Sequence, residues 1–150
     1  MHSNPKISII TVSFNSQSTI KHTIQSVDYQ DYQNKEYLLI DGASNDWTLD
    51  IISFLKGKID YFVSEKDNGI YDAMNKGIKA SSGDIIGILN SDDFYSNNEV
   101  LSKVANIFEE TDCDCLYGDL VYVDKGDARN IVRYWQSGEF SKRNLRMGWM

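Results

Sequence analysis

The run ISIITVSF, Ile7–Phe14, decides the fold. Its apolar residues are nearly continuous and rich in β-branching, which suits a strand buried on both faces and therefore a parallel sheet. Reading outward, Ser18 to Tyr29 carries Ile20, Ile24 and Val27 at helical spacing, with Ser16 or Ser18 available as a cap. Tyr37–Ile40 then predicts a second strand that ends at Asp41-Gly42. The alternation continues. Asn45 or Asp46 is placed to cap a helix bearing Leu49, Ile52 and Leu55, which Gly57 stops, and Ile59–Val63 predicts a third strand. Gly69 to Ala80 predicts a helix with Ile70, Met74 and Ile78 on its inner face, and Ile85–Leu89 a fourth buried strand. Ser96 to Glu99 has capping-box spacing, ahead of a helix presenting Val100, Val104, Ile107 and Phe108 inward. Cys115–Val123 predicts a fifth strand, able to turn at Lys125-Gly126-Asp127 into a hairpin with Ile131–Trp135. This order predicts an α/β class with a doubly wound, mainly parallel sheet flanked by helices. Beyond Trp135 the periodicity fades.

One domain accommodates 150 residues, of which 41% are hydrophobic. No apolar stretch approaches the roughly 20 residues of a membrane span, and MHSNPK lacks the features of a secretory signal, so cytoplasmic residence is expected. The net charge of −7 argues against a nucleic-acid partner held through phosphates. Aspartates outnumber glutamates 16 to 6, which points to loops and sites rather than helix surfaces, where glutamate is the better former. The charge is uneven: residues 1–128 carry −11 and residues 129–150 carry +4. Cys113 and Cys115 are too close for an easy disulfide and too few for a zinc cage, and read as reduced thiols in or beside a strand.

In open α/β sheets, ligands bind beyond the carboxyl ends of the strands. Each strand here ends in a polar cluster: Asn15-Ser16, then Asp41 to Asp46, then Ser64 to Gly69, then Asn90 to Asp93. The adjacent carboxylates of Asp92 and Asp93 repel one another, and a hard divalent cation shared with substrate phosphates would relieve that repulsion. Mg²⁺ or Mn²⁺ on a diphosphate is the expected occupant; the bland alternative is a turn cap. Neither G-x-G-x-x-G nor G-x-x-x-x-G-K-[ST] occurs, so the usual dinucleotide and phosphate-loop modes are set aside.

The series TVSFN (Thr11–Asn15), IDGASND (Ile40–Asp46), SEKDNGIYDAMNKGI (Ser64–Ile78) and LNSDD (Leu89–Asp93) resembles the nucleotide-sugar-binding half of a family 2 glycosyltransferase with the GT-A fold. It is similar to bacterial members that build capsule, O-antigen or other surface polysaccharide, over residues 6–124, with 125–150 as the start of an acceptor-side region. The resemblance implies that Asp41 accepts the imide N–H of uracil, and that Thr11, Phe14 and Asn15 shape the base and ribose pocket. It implies that Asp67 and Asn68 meet sugar or ribose hydroxyls, that Lys66 or Lys76 meets phosphate, and that Gly69 allows close backbone approach. Asp92 and Asp93 would contact ribose and a Mn²⁺ or Mg²⁺ ion.

The implied reaction is inverting transfer from a nucleotide-sugar donor, a UDP-sugar by the Asp41 reading, to a hydroxyl of a glycan or lipid-linked acceptor. The general base is expected after Met150, beyond the RMGWM stretch at Arg146–Met150, and a non-catalytic binding module is the alternative. The basic end, Arg129, Arg133, Lys142, Arg143 and Arg146, could lie against anionic headgroups at the inner face of the plasma membrane or form a solvated face. A homo-oligomer is left open.

Overall fold

A computed structural model describes residues 4–147. The elements run β1 (Ile7–Ser13), α1 (Ile20–Asp28), β2 (Lys35–Asp41), α2 (Thr48–Phe54), a 3₁₀ turn (Lys56–Lys58), β3 (Tyr61–Ser64), α3 (Ile70–Ala80), β4 (Ile85–Ile88), α4 (Val100–Glu110), β5 (Leu120–Val123), β6 (Ile131–Trp135) and α5 (Lys142–Arg146). Two compact units divide between Asp112 and Cys113.

In the first unit, four parallel strands stand in the order β3-β2-β1-β4. All seven residues of β1 are buried, as the unbroken run ISIITVS requires of a central strand. Alternate residues of β1 and β2 serve two cores. Ile7, Ile9, Tyr37 and Leu39 pack with α1, α2 and α4, while Ile10, Val12, Leu38 and Ile40 pack with Ala73 and Met74 of α3. The sheet is thus wound on both faces. The chain steps outward from β1 to β2 to β3 and then crosses by α3 to β4 on the far side of β1. That reversal beside β1 is where such sheets open a crevice.

Several local expectations are corrected. On α3 the buried residues are Ala73 and Gly77, not Ile70 and Ile78, which stay 51% and 40% exposed. A Cβ on Gly77 would collide with the Ile10 side chain, so the helix lies too close to β1 for anything larger to face it. Strand β4 is an edge rather than a buried strand, and Ile86 and Ile88 are exposed. On α4, Leu101 and Ala105 are buried and Ile107 is exposed. The capping box does not form: Asn97 Oδ1 accepts the Glu99 N–H at 2.9 Å, and α4 starts at Val100 without a side-chain cap. Neither Ser16 nor Ser18 caps α1, whose first amides, Thr19 and Ile20, bond the Ser16 carbonyl at 3.0 Å. Asp46 does take the Thr48 N–H, at 3.0 Å, where α2 begins.

At the amino edge of the sheet, Glu36 binds three neighbours. It accepts from Lys6 Nζ at 2.6 Å, Ser8 Oγ at 2.6 Å, and the Ser82 N–H and hydroxyl at 2.6 and 2.8 Å. Burial opposes its charge, and these donors outweigh that, holding its pKa down at about 2.

In the second unit, β5 and β6 pair antiparallel with an irregularity at Tyr122/Val123. The expected hairpin forms, but as its own two-stranded sheet, so the chain has no fifth strand in the parallel sheet among the described residues. Arg133 lies over the Tyr122 and Trp135 rings at 5.5 and 4.9 Å. The Ser141 hydroxyl accepts the Asn144 N–H at 3.0 Å and starts α5, in a region with no readable periodicity. Cys113 and Cys115 precede β5 as free thiols outside any strand. No helix among the described residues is long and apolar enough to cross a membrane. Gly148, Trp149 and Met150 of the RMGWM stretch lie outside the described residues.

Candidate functional site

A cavity of about 850 Å³ opens at the carboxyl edge of the parallel sheet. All four strands deliver a loop to its wall: Phe14 after β1, Gly42, Ala43 and Asn45 after β2, Lys66 and Asp67 after β3, and Asn90 to Asp92 after β4. Gly69, Ile70 and Ala73, at the start of α3, close one side. The size suits a small-molecule ligand, and the lining mixes an aromatic ring, apolar carbons, one cation and two carboxylates.

Five of the residues expected from sequence stand on this wall: Phe14, Lys66, Asp67, Gly69 and Asp92. Phe14 is 62% exposed, so its ring is offered to a ligand rather than to the core. The Asp67 carboxylate accepts the Gly69 N–H at 2.8 Å and lies against Gly42, where a Cβ would sit 2.7 Å from Oδ2. Gly42 is therefore a site residue that a local reading misses, because the reason for it stands 25 residues downstream. Ala43 and Asn45 line the cavity as well, and Ala43 holds φ +61°, a left-handed backbone that no glycine or asparagine announces there.

The other expected residues are not among those lining the cavity. Thr11 is buried and accepts from the Tyr37 hydroxyl at 3.0 Å. Tyr37 is buried too, so the pair is a core contact, and its burial raises the Tyr37 pKa. Asn15, at φ +51°, accepts the Asn45 N–H at 3.0 Å and donates its own N–H to Ser44 Oγ at 2.8 Å. Asn68 is exposed, its N–H bonded to Asp72 at 3.0 Å. Lys76 is drawn off to Glu65 at 2.8 Å and Asp72 at 3.7 Å, and it donates to the Lys66 carbonyl at 3.2 Å. The hydrogen bond to Glu65 raises its pKa most; burial opposes that rise, and the charges of Glu65, Asp72 and Asp67 add to it.

Asp41 is fully buried beneath the cavity. Its Oδ1 accepts the Ser13 and Ser44 hydroxyls at 2.9 and 2.5 Å, and its Oδ2 accepts the Ser44 N–H and the Ser64 hydroxyl at 2.9 and 2.7 Å.

The acidic loop after β4 is anchored by α1. The Thr23 hydroxyl lies 3.0 Å from the Ser91 carbonyl and 2.8 Å from that of Asp93, and Ser16 and Ser91 share a 2.8 Å hydroxyl contact. Asp93 accepts from Asn90 Nδ2 at 3.2 Å. Desolvation raises its pKa, as does the neighbouring charge of Asp92, against that hydrogen bond. Among the described residues no group of three or more His, Cys, Asp or Glu could cage a metal. Two carboxylates are what a Mg²⁺-type ion uses when phosphates and water complete its shell, so the donor set fits a hard cation brought by a diphosphate.

The sequence pattern described as glycosyl transferase family 2 matches residues 8–149. The chain belongs to that family. An uncharacterized glycosyltransferase of Mycobacterium tuberculosis is 40% identical over 107 residues, which cover 69% of this chain and 40% of the relative. A PGL/p-HBAD biosynthesis glycosyltransferase of Mycobacterium bovis is 32% identical over 121 residues, 78% of this chain and 47% of the relative. The chain spans less than half the length of these family 2 relatives.

Among solved structures, S. aureus TarS in complex with UDP-GlcNAc superposes with a TM-score of 0.64 at 26% identity, over 70% of this chain and 31% of that one. The mannosyltransferase PcManGT from Pyrobaculum calidifontis, in complex with GDP-Man and Mn²⁺, gives a TM-score of 0.62 at 20% identity, over 80% of this chain and 36% of that one. The latter likeness is one of fold. The α/β sheet expected for a GT-A glycosyltransferase is the one observed.

Proposed function

We propose that this family 2 chain binds a nucleotide-sugar, best a UDP-sugar, in the 850 Å³ cavity and forms the donor side of an inverting glycosyltransferase. The observation that carries the reading is the convergence of four loops, from four parallel strand ends, on one cavity bearing Phe14, Lys66, Asp67 and Asp92. Phe14 offers a ring face to a base. Asp67 accepts from a base N–H or a ribose hydroxyl, beside the glycine that gives it room, with Asn68 next to it in the same loop. Lys66 faces the diphosphate, and Lys76 holds the Lys66 main chain in place. The UDP-GlcNAc held by TarS supports a uridine nucleotide.

Asp92 and Asp93 would hold Mn²⁺ or Mg²⁺, which neutralises the departing diphosphate when bound. An acceptor hydroxyl then attacks the anomeric carbon from the face opposite the diphosphate, giving up its proton to a carboxylate. The acceptor is a glycan or lipid-linked hydroxyl in cell-surface polysaccharide synthesis, a reading supported by the biosynthetic role in the name of the M. bovis relative. A cytoplasmic site of action, with Arg143 and Arg146 against anionic headgroups, fits such an acceptor.

The test is thermal unfolding with UDP and Mn²⁺ together. Saturation at a hundredfold excess over the dissociation constant stabilises the fold by about 2.7 kcal/mol. ADP with Mn²⁺ gives a smaller shift, and Asp92→Ala removes the metal-dependent part. A protein indifferent to UDP and Mn²⁺ at millimolar concentration is not a donor-binding domain.

A further inference from the structure

We infer that Asp41 is a positioning residue, the tie that sets three walls of the cavity relative to one another, and that it does not read the base of the bound nucleotide. The inference rests on the donor-binding reading of the cavity.

Ser13, Asp41 and Ser64 end β1, β2 and β3, and they stand in register on one rung of the sheet. From the middle of that rung the Asp41 carboxylate takes a hydroxyl from each neighbour, 2.9 Å from Ser13 and 2.7 Å from Ser64. Ser44 folds back over it and donates twice, from its N–H and its hydroxyl. All four contacts are donations to the carboxylate, two on each oxygen, and the group is fully buried. An imide N–H approaching from the cavity would have to displace one of these donors and strand it, at the cost of an unpaired buried polar group.

What the rung holds is also what the cavity needs. Ser13 runs directly into Phe14, Asp41 into Gly42 and Ala43, and Ser64 through Glu65 into Lys66 and Asp67. The Ser44 hydroxyl that donates to Asp41 also accepts the Asn15 N–H, and Asn15 in turn accepts from Asn45, so the tie extends along two loops. The carboxylate thereby fixes the spacing of the Phe14 ring, the Gly42 floor and the Asp67 carboxylate before any ligand arrives. Supporting groups of this kind act on affinity through the residues they orient.

The experiment measures UDP and CDP binding with Mn²⁺ by calorimetry for wild type, Asp41→Asn and Ser64→Ala, together with amide exchange of the free proteins. Uracil offers an N–H where cytosine offers an acceptor, so a base-reading Asp41 changed to Asn would swing preference from UDP toward CDP. A positioning Asp41 leaves the UDP to CDP ratio within about twofold while both affinities fall by about tenfold. Ser64→Ala, which touches the rung alone, falls in the same direction by a smaller factor. Exchange in Asp41→Asn quickens together at Phe14, Gly42 to Ser44 and Glu65 to Asp67. A swing of tenfold or more toward CDP, or exchange quickened only between Gly42 and Ser44, overturns the inference. If wild type binds neither nucleotide, the donor-binding reading fails, and the exchange pattern still decides whether Asp41 ties the three loops.

Discussion

Strand β2 carries a carboxylate near each end, and each draws three parts of the chain together, yet by different chemistry. At the amino edge Glu36 is met by an ammonium, two hydroxyls and an amide. At the carboxyl edge Asp41 is met by three hydroxyls and an amide. Glu36 has a full countercharge in Lys6 and lies at the edge of the sheet opposite the cavity. Asp41 is held by neutral donors under the one part of the sheet where a charged ligand is expected. Hydroxyls are small, and they satisfy a buried carboxylate without placing a cation beside a site meant for phosphate and metal. The same sheet thus has one end built for holding and one end built for holding and binding.

The contrast breaks first at Asp41. Asp41→Ala strands four donors and lowers stability by about 3 kcal/mol in urea unfolding, with nucleotide stabilisation lost as well. A variant as stable as wild type would show that the rung is not a structural tie. Asp93→Ala is the next largest effect and the opposite in kind. The fold keeps its midpoint, and the roughly 2.7 kcal/mol conferred by UDP with Mn²⁺ at hundredfold excess disappears.

Glu36→Gln sharpens the comparison from the other edge. With its folded pKa held near 2 against an ordinary 4.5, Glu36 contributes its stability in full above pH 5 and loses it as pH falls through that interval. The variant is weaker by about 2 kcal/mol at pH 7, its deficit shrinks on acidification toward pH 2, and UDP affinity is unchanged. Impaired UDP binding in a folded Glu36→Gln protein would erase the distinction between the edges. The smallest effect is expected at Gly42. In Gly42→Ala the new methyl displaces the movable end of Asp67 rather than any backbone, so affinity falls by about 3- to 10-fold while stability changes by less than about 1 kcal/mol.

The placing of the cavity was legible in the chain because two simple signals coincide. A continuous β-branched run forces β1 into the centre, and polar clusters follow each strand. Their convergence on one edge is then a matter of parallel topology, and Phe14, Lys66, Asp67 and Asp92 are found where that topology puts them. The inner face of α3 was not legible, since hydrophobic spacing selects Ile70, Met74 and Ile78, whereas contact with Ile10 selects the smallest side chains.

The place of Asp41 at the carboxyl end of a strand was legible, and its surroundings were not. Its partners come from positions 13, 44 and 64, two of them on other strands, and serines at those positions carry no pattern of their own. The capping box at Ser96 failed for a local reason: Asn97, one residue on, offers its side chain to the same amide turn and starts the helix later. The fifth strand forms, shorter than expected, but pairs with the adjacent β6 and not with the parallel sheet.

Helix α3 rests on β1 through Ala73 and Gly77, and its first turn forms one bank of the cavity through Gly69, Ile70 and Ala73. A helix is stiff along its axis, so whatever lifts it at one point tilts it at the other. Gly77 is thus a fulcrum. A methyl group added there, on the hidden side of the helix, would run into the Ile10 side chain, so the seat of the helix that banks the cavity depends on a residue that does not line it.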